Sequence, residues 1–254
     1  MLRAENLSFC VDGKELLKPI NYAFEPGKIY ALVGHNGSGK STLLKLLAQQ
    51  QKPTAGQITL FDRPAKEWSN KRFAKNVAYL PQHLSPTDSL SSQDLVSFGR
   101  YPWHGLLGRL TQEDKDIVEE AMIKTDTLRY ADRLVDSLSG GERQRVWLAM
   151  LLAQKTKYLL LDEPLSALDI AHQMEMLSLI KSLSRDMNLG VVIVIHDINM
   201  AARFCDHIVA MHSGSLITDG GVNDVLTVQS LKHIYGIDMH VSTHPLGYPV
   251  AVPC

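Results

Sequence analysis

An α/β fold with a mainly parallel core sheet is predicted by three features of this 254-residue chain. The apolar run 29–33 ends in the string GHNGSGKST at 34–42 and leads into a helix-like stretch. Continuous apolar runs return at 157–161 and 190–195. Between those two runs, residues 170–187 carry helical spacing, as a strand–helix–strand crossover demands. Strand-like runs at 2–9, 15–24 and 57–61 surround the first apolar run, and 76–80 adds a strand ending at Pro81. From about residue 84 the character changes: 92–99, 112–125 and 142–154 have helical spacing and few β-branched residues. In 112–125, Ile117, Val118, Ala121 and Met122 share one face, whereas Glu113, Lys115 and Glu119 fall elsewhere. A helical insert over about 84–156 is therefore expected. Past the crossover, 207–211 and 215–219 read as strands and 223–235 as a helix. At 254 residues and 45% hydrophobic, one α/β domain spanning 1–254 is expected, with no room after the last motif for a separate regulatory domain.

Composition narrows the partners. Twenty-six basic residues against 27 acidic ones leave a net charge of -1, so no whole-chain field draws the protein to nucleic acid or anionic lipid. Nucleic acid is not an expected partner. Apolar stretches such as 148–153 and 191–195 fall far short of the roughly 18 residues that span a bilayer, which predicts a soluble chain. No basic region followed by an apolar core opens the sequence, so no secretory route is expected. Cys10, Cys205 and Cys254 are odd in number and widely spaced, which suits free thiols in a reducing cytosol.

The string at 34–42 fills the GxxxxGK[ST] pattern of a triphosphate-binding loop completely. Gly34, Gly37 and Gly39 lack a Cβ, so with His35, Asn36 and Ser38 the loop can turn its amides toward phosphate oxygens. The helix that follows adds the positive end of its dipole. Lys40 is expected to reach the β and γ phosphates, Ser41 a magnesium ion, and Thr42 the α phosphate. At the end of the 157–161 strand, Asp162 suits magnesium binding, while Glu163 can orient or deprotonate the water that attacks the γ phosphate. Residues Leu138, Ser139, Gly140, Gly141 and Glu142 form LSGGE ahead of an apolar helix. They make a second anion-binding helix end, an ordinary capping box from Ser139 to Glu142, or both.

Taken in order, GHNGSGKST, Gln82 in YLPQ, LSGGERQR, LLLDEP, SALD and an isolated His196 resemble the ATP-binding subunit of an ABC transporter across essentially the whole chain. The resemblance implies a P-loop NTPase fold with an antiparallel β subdomain and a helical subdomain, and a cofactor pair of ATP and Mg2+. It implies a head-to-tail homodimer in which the phosphate loop of one copy and the signature loop of the other enclose each ATP. By the same resemblance, Gln82 would contact magnesium and water and sense the permease. Ser139 and Gly141 would grip the γ phosphate in trans, Asp169 would couple the two sites, and His196 would clamp the γ phosphate and attacking water. The family's adenine-stacking aromatic has no clear counterpart here: its place falls at Val11, with Phe9 two residues earlier on the same face of a regular strand.

GRYPWHG at 99–105, DIAHQ at 169–173, HDINMAARFCD at 196–206 and IYGI at 234–237 resemble the importer subunits for ferric siderophores, closest to the ferric hydroxamate group. Importers of heme or cobalamin are the near alternative. The resemblance implies a peripheral protein on the cytoplasmic face of the inner membrane, bound to polytopic permease subunits and serving a substrate-binding protein indirectly. Tyr101 and Trp103 lie where the family docks its permease, and read equally as docking anchors or a buried aromatic cluster. His104, His240 and His244 match no zinc spacing and read as surface residues. Only one phosphate loop and one LSGGE occur, unlike two-cassette translation factors, and a P-loop kinase or GTPase would leave LSGGE and His196 unexplained.

Overall fold

The computed structural model describes residues 1–87, 89–105, 109–166 and 168–254. The chain begins with β1 (Leu2–Val11), β2 (Lys14–Phe24), β3 (Ile29–Val33), α1 (Lys40–Leu47), β4 (Ala55–Leu60), β5 (Arg63–Pro64), α2 (Asn70–Ala74) and β6 (Val77–Leu80). A helical stretch follows: α3 (Ser92–Ser97), α4 (Tyr101–His104), α5 (Gln112–Lys124) and α6 (Gly140–Ala153). Then come β7 (Tyr158–Leu161), α7 (Ile170–Met187), β8 (Gly190–Val194), α8 (Ile198–Phe204), β9 (His207–His212) and β10 (Ser215–Gly221). The chain closes with α9 (Val222–Val225), α10 (Val228–Tyr235), β11 (Met239–Thr243) and β12 (Pro249–Pro253). None of the described helices is long and apolar enough to cross a membrane.

The strands form a six-stranded sheet in the order β10-β9-β3-β8-β7-β6, an antiparallel four-stranded sheet β2-β1-β4-β5, and the hairpin β11-β12. In the large sheet every pair is parallel except β10 with β9. This is the α/β class with a mainly parallel sheet and an antiparallel β subdomain.

Pleating divides the core in two. In β3, Ile29, Ala31 and Val33 join one apolar cluster while Tyr30 and Leu32 join the other, as the two-residue period of a strand requires. The first cluster takes the apolar faces of α5, α6, α7 and α8; the second takes α1 and the inner faces of β1, β2 and β4. Strands buried on both faces read as unbroken apolar runs, which explains why β3, β7 and β8 stand out in the sequence. Val118, Ala121 and Met122 of α5 are buried, with Ile117 packed beside them.

Two regions depart from expectation. The helix-like stretch 223–235 is broken, because the Thr227 hydroxyl accepts the Ser230 N–H at 3.2 Å and starts α10 afresh. The break interrupts no apolar spacing, so periodicity cannot detect it. Residues 239–253 form a hairpin with a proline at each end of β12, and it is tied down from a distance: Asn199 accepts the Ala251 N–H at 2.8 Å and donates to its carbonyl at 3.0 Å.

Tyr158 fastens the two large sheets together. Wholly buried, its hydroxyl accepts the Leu2 N–H at 3.1 Å and donates to the Phe24 carbonyl at 3.0 Å. Burial pushes its phenol up to about 12. Gly190 makes room for the ring: a Cβ there would lie 2.6 Å from Cδ1 and Cε1 of Tyr158. Tyr158→Phe removes the partner of a buried N–H and is expected to cost about 1–3 kcal/mol. Urea unfolding should show a lower midpoint at constant m value; an unchanged midpoint would mean the hydroxyl ties nothing.

Candidate active site

The site begins at the C-terminal edge of β3. The chain turns sharply there, with φ of 140° at Gly34 and 101° at Gly39, conformations that L side chains rarely adopt. Gly34 also sits against the Met211 carbonyl with no space for a Cβ. Lys40, 5% exposed, folds its ammonium back onto the carbonyls of Gly34 at 2.9 Å and His35 at 3.0 Å. Burial lowers its pKa, against the opposing pull of the Glu163 and Asp162 charges.

Asp162 follows β7 and is 1% exposed. Its Oδ1 accepts the Ser41 hydroxyl at 2.7 Å, and its Oδ2 accepts the Tyr79 hydroxyl in a long contact of 3.4 Å. Burial raises its pKa, while the Ser41 hydrogen bond and the Lys45 charge oppose the shift. A buried carboxylate beside a serine hydroxyl supplies the hard oxygen donors that magnesium prefers.

Glu163 has left-handed backbone, φ 50°, stabilised by the Ser166 hydroxyl and N–H, which donate to its carbonyl at 3.2 and 3.3 Å. Its two carboxylate oxygens are both engaged. Oε2 accepts the Gln82 amide at 2.7 Å and Oε1 lies 2.9 Å from His196 Nε2. Gln82 comes from the segment after β6 and His196 from the segment after β8.

These groups surround a cavity of about 340 Å³, lined by residues 36–42 with Gln82, Glu163 and His196. Asn36, Gly37, Ser38, Gly39, Ser41 and Thr42 thus come together as the sequence suggests, and Asp162 is tied to them through Ser41. Leu16 also lines the cavity, a β2 residue without a motif to mark it. The His35 ring turns away: its Nδ1 pairs with the Asn36 carbonyl at 2.7 Å and it packs edge-to-face with His212, centroids 4.5 Å apart. Val11 and Phe9 do not line the cavity. Irregular pairing of β1 with β2 around Phe9 and Cys10 breaks the alternation that would put 9 and 11 on one face. Phe9 packs on the inner core and Val11 is exposed at the strand end.

Leu138, Ser139, Gly140, Gly141, Glu142 and Asp169 lie outside this cavity. Ser139 caps α6: its hydroxyl accepts the Glu142 N–H at 3.4 Å, and Glu142 Oε2 accepts the Ser139 N–H at 2.9 Å. The Tyr130 hydroxyl, then the Ser139 donors, bring the Glu142 carboxyl down to about 2. The capping box is therefore real, and it presents the N-terminus of α6 outward. Asp169 caps α7 one-sidedly, its Oδ1 accepting the His172 N–H at 2.9 Å.

His104 is not a plain surface residue. Its Nε2 lies 2.7 Å from Asp114 Oδ2, and Arg100 Nε reaches Asp114 Oδ1 at 2.8 Å. Asp114 is 2% exposed; burial alone would raise its pKa, but hydrogen bonds from Thr111, Arg100 and His104 hold it well below the usual carboxylate range. Trp103 is pinned as well, donating to the Gln154 carbonyl at 3.0 Å and covered by Lys75 and Arg100. Tyr101, in contrast, is exposed. Among the described residues no cluster of three or more His, Cys, Asp or Glu is placed to hold a metal ion.

Comparison with known proteins fits this geometry. The family model described as ABC transporter matches residues 17–166. The iron(3+)-hydroxamate import ATP-binding protein FhuC of Bacillus subtilis (strain 168) is 40% identical over 244 residues, covering 96% of this chain and 91% of that protein. The hemin import ATP-binding protein HmuV of Vibrio vulnificus (strain CMCP6) is 37% identical over 259 residues, covering 100% and 97%. Among solved structures, an ABC transporter assigned to the metal-chelate type, in an inward-facing conformation, superposes with a TM-score of 0.86 at 28% identity, covering 100% of this chain and 96% of that one. A dimeric bacterial ABC transporter cassette, MJ0796, superposes at 0.75 with 25% identity, covering 87% and 98%. A triphosphate loop, an acid pair and a capped LSGGE helix on this fold, with matches over almost the full length, establish that the chain belongs to the ABC transporter family as an ATP-binding, ATP-hydrolysing subunit.

Proposed function

We propose that this subunit powers import of a ferric siderophore of the hydroxamate type through a membrane permease, by closing as a homodimer on two ATP and reopening after hydrolysis. The observation that carries the reading is the split site: one copy surrounds its cavity with residues 36–42, Gln82, Glu163 and His196, while its outward-facing Ser139 helix tip lies outside that cavity. A second copy, placed head to tail, supplies the missing wall. The dimeric cassette among the structural matches supports this arrangement.

In this reading Lys40 exchanges its two carbonyl partners for β and γ phosphate oxygens. Ser41, Asp162 and Gln82 would hold Mg2+, which neutralises phosphate charge when bound. Glu163 is the base. A water attacks the γ phosphorus and gives its proton to Glu163, as the bond to the bridging β–γ oxygen breaks and ADP keeps that electron pair. His196 and Gln82, both within hydrogen-bond reach of Glu163, hold the water and the γ phosphate in line. Asp169 couples the paired sites.

The cargo follows from kinship with FhuC. HmuV matches at 37% over the whole chain, which favours heme as the second reading, since this subunit touches no cargo. Growth of a strain carrying the chain with its permease, on ferric hydroxamates against hemin as iron source, separates the two. The protein then sits at the cytoplasmic face of the inner membrane, held by its permease and served indirectly by a substrate-binding protein. Phe98, Tyr101 and Leu110, all exposed around a groove of about 310 Å³, form the docking face.

Glu163→Gln should keep ATP binding and lower turnover by about 10²–10⁴-fold. Phosphate release by the purified transporter checks this, and wild-type turnover would remove Glu163 as base. Lys40→Ala should weaken ATP binding by at least about tenfold, because a charge-assisted contact to phosphate is lost; titration with a fluorescent nucleotide measures it. Tyr101→Ala should reduce permease co-purification at an unchanged melting temperature. Trp103→Ala is the poorer probe, since it also strips the cover from Arg100.

A further inference from the structure

The two elements that face away from a copy's own cavity, the tip of α6 and Asp169, come from separate parts of the chain, yet one side chain joins them. His172 Nδ1 lies 2.8 Å from Asp169 Oδ1, the same oxygen that accepts the His172 backbone N–H at 2.9 Å. Those donors hold the Asp169 carboxyl below its ordinary range. The imidazole then lies against α6. A Cβ at position 141 would meet His172 Cδ2 at 2.9 Å and Cγ at 3.4 Å, so the ring occupies the space that glycine leaves. One turn further along both helices, Arg145 Nη2 reaches Glu175 Oε2 at 2.8 Å. Positions 141 and 145 share one face of α6, as 172 and 175 share one face of α7. Two contacts at successive turns therefore brace the N-terminal ends of the two helices. The side chains of His172 and Asp169 remain 51% and 66% exposed, open to a partner on their other side.

We propose that His172 is a positioning residue that locks Asp169 and the Ser139–Glu142 tip into one rigid half-site, so that both reach a second copy's nucleotide as a unit. The inference rests on the two-copy arrangement proposed above. Without the imidazole, Asp169 is left with backbone partners alone, and the Gly141 surface loses its support. Tip and aspartate must then each be ordered separately when the dimer closes, which weakens closure without touching the phosphate loop of the same copy.

The test uses the full chain carrying Glu163→Gln, with ATP-driven pairing followed by light scattering and single-copy nucleotide affinity measured at dilutions too low for pairing. Adding His172→Ala should raise the ATP concentration for half-maximal pairing about tenfold, the scale of one oriented charge-assisted hydrogen bond. Single-copy affinity and melting temperature should not move. His172→Asn, whose side-chain amide can donate to Asp169, should recover part of the loss, and Glu175→Ala should shift pairing in the same direction. Equal pairing by the parent and the His172→Ala chain overturns the inference alone. A parallel fall in melting temperature and single-copy affinity also overturns it, by making the role merely structural. A parent that fails to pair overturns the two-copy reading and the inference with it.

Discussion

Everything at the site depends on four neighbouring strands running the same way. In β3, β8, β7 and β6 the parallel registers align Leu32 with Val194, Ile193 with Leu161, and Leu161 with Leu80. The chain segments leaving these strands must therefore emerge along one edge of the sheet. The phosphate loop leaves β3, Gln82 follows β6, the acid pair follows β7 and His196 follows β8. Four stretches remote in sequence meet because parallel pairing gives them no other place to go. Tyr158, at the start of β7, bonds the opposite end of that strand to the antiparallel sheet.

With the strands so placed, the charged groups satisfy one another. Lys40 is held by two carbonyls, Asp162 by Ser41 and Tyr79, and Glu163 by Gln82 and His196. This follows from burial: an unpaired charge in that position would be far more costly than any contact here is worth. A nucleotide consequently replaces interactions rather than adding them. On the proposed mechanism Lys40 leaves its carbonyls for phosphates, and Glu163 yields its two donors before it accepts a proton from water. On that mechanism ligand selectivity comes from charge and geometry that carbonyls cannot imitate, a row of phosphate oxygens along the loop amides.

Much of this was legible in the sequence, for physical reasons that also mark the limits. Strands buried on both faces must be apolar throughout, so β3, β7 and β8 declare themselves, and glycines at 34 and 39 report positive φ. Phosphate and acid chemistry needs particular residue types at fixed spacing, which made residues 34–42 and 162–163 visible. Contacts formed by tertiary placement leave no such trace. Leu16 is one more apolar strand residue until β2 brings it to the cavity, and Val11 and Phe9 part company only because the β1–β2 pairing is irregular. His104 reads as a surface histidine because nothing local announces that Asp114 will lie beneath it. The β11–β12 hairpin depends on Asn199, about fifty residues earlier, for its anchor.

The remaining asymmetry is the physical argument for the proposed pairing of two copies. The N-terminus of α1 opens onto the cavity of its own copy, whereas that of α6 lies outside it. Closing both ends on one triphosphate within a copy would require the helical segment to fold across the sheet, yet α6 is held in place by Val146, Leu148, Ala149 and Leu152 packed in the core. Because the α6 end is rigidly presented but cannot turn inward, the proposed arrangement brings its complement from a second copy. In the proposed pairing a second copy offers the same surface in reverse, so two-fold symmetry would satisfy both helix ends at once and create two equivalent sites. In the proposed cycle nucleotide acts as the adhesive, and its hydrolysis removes the reason for the copies to stay together.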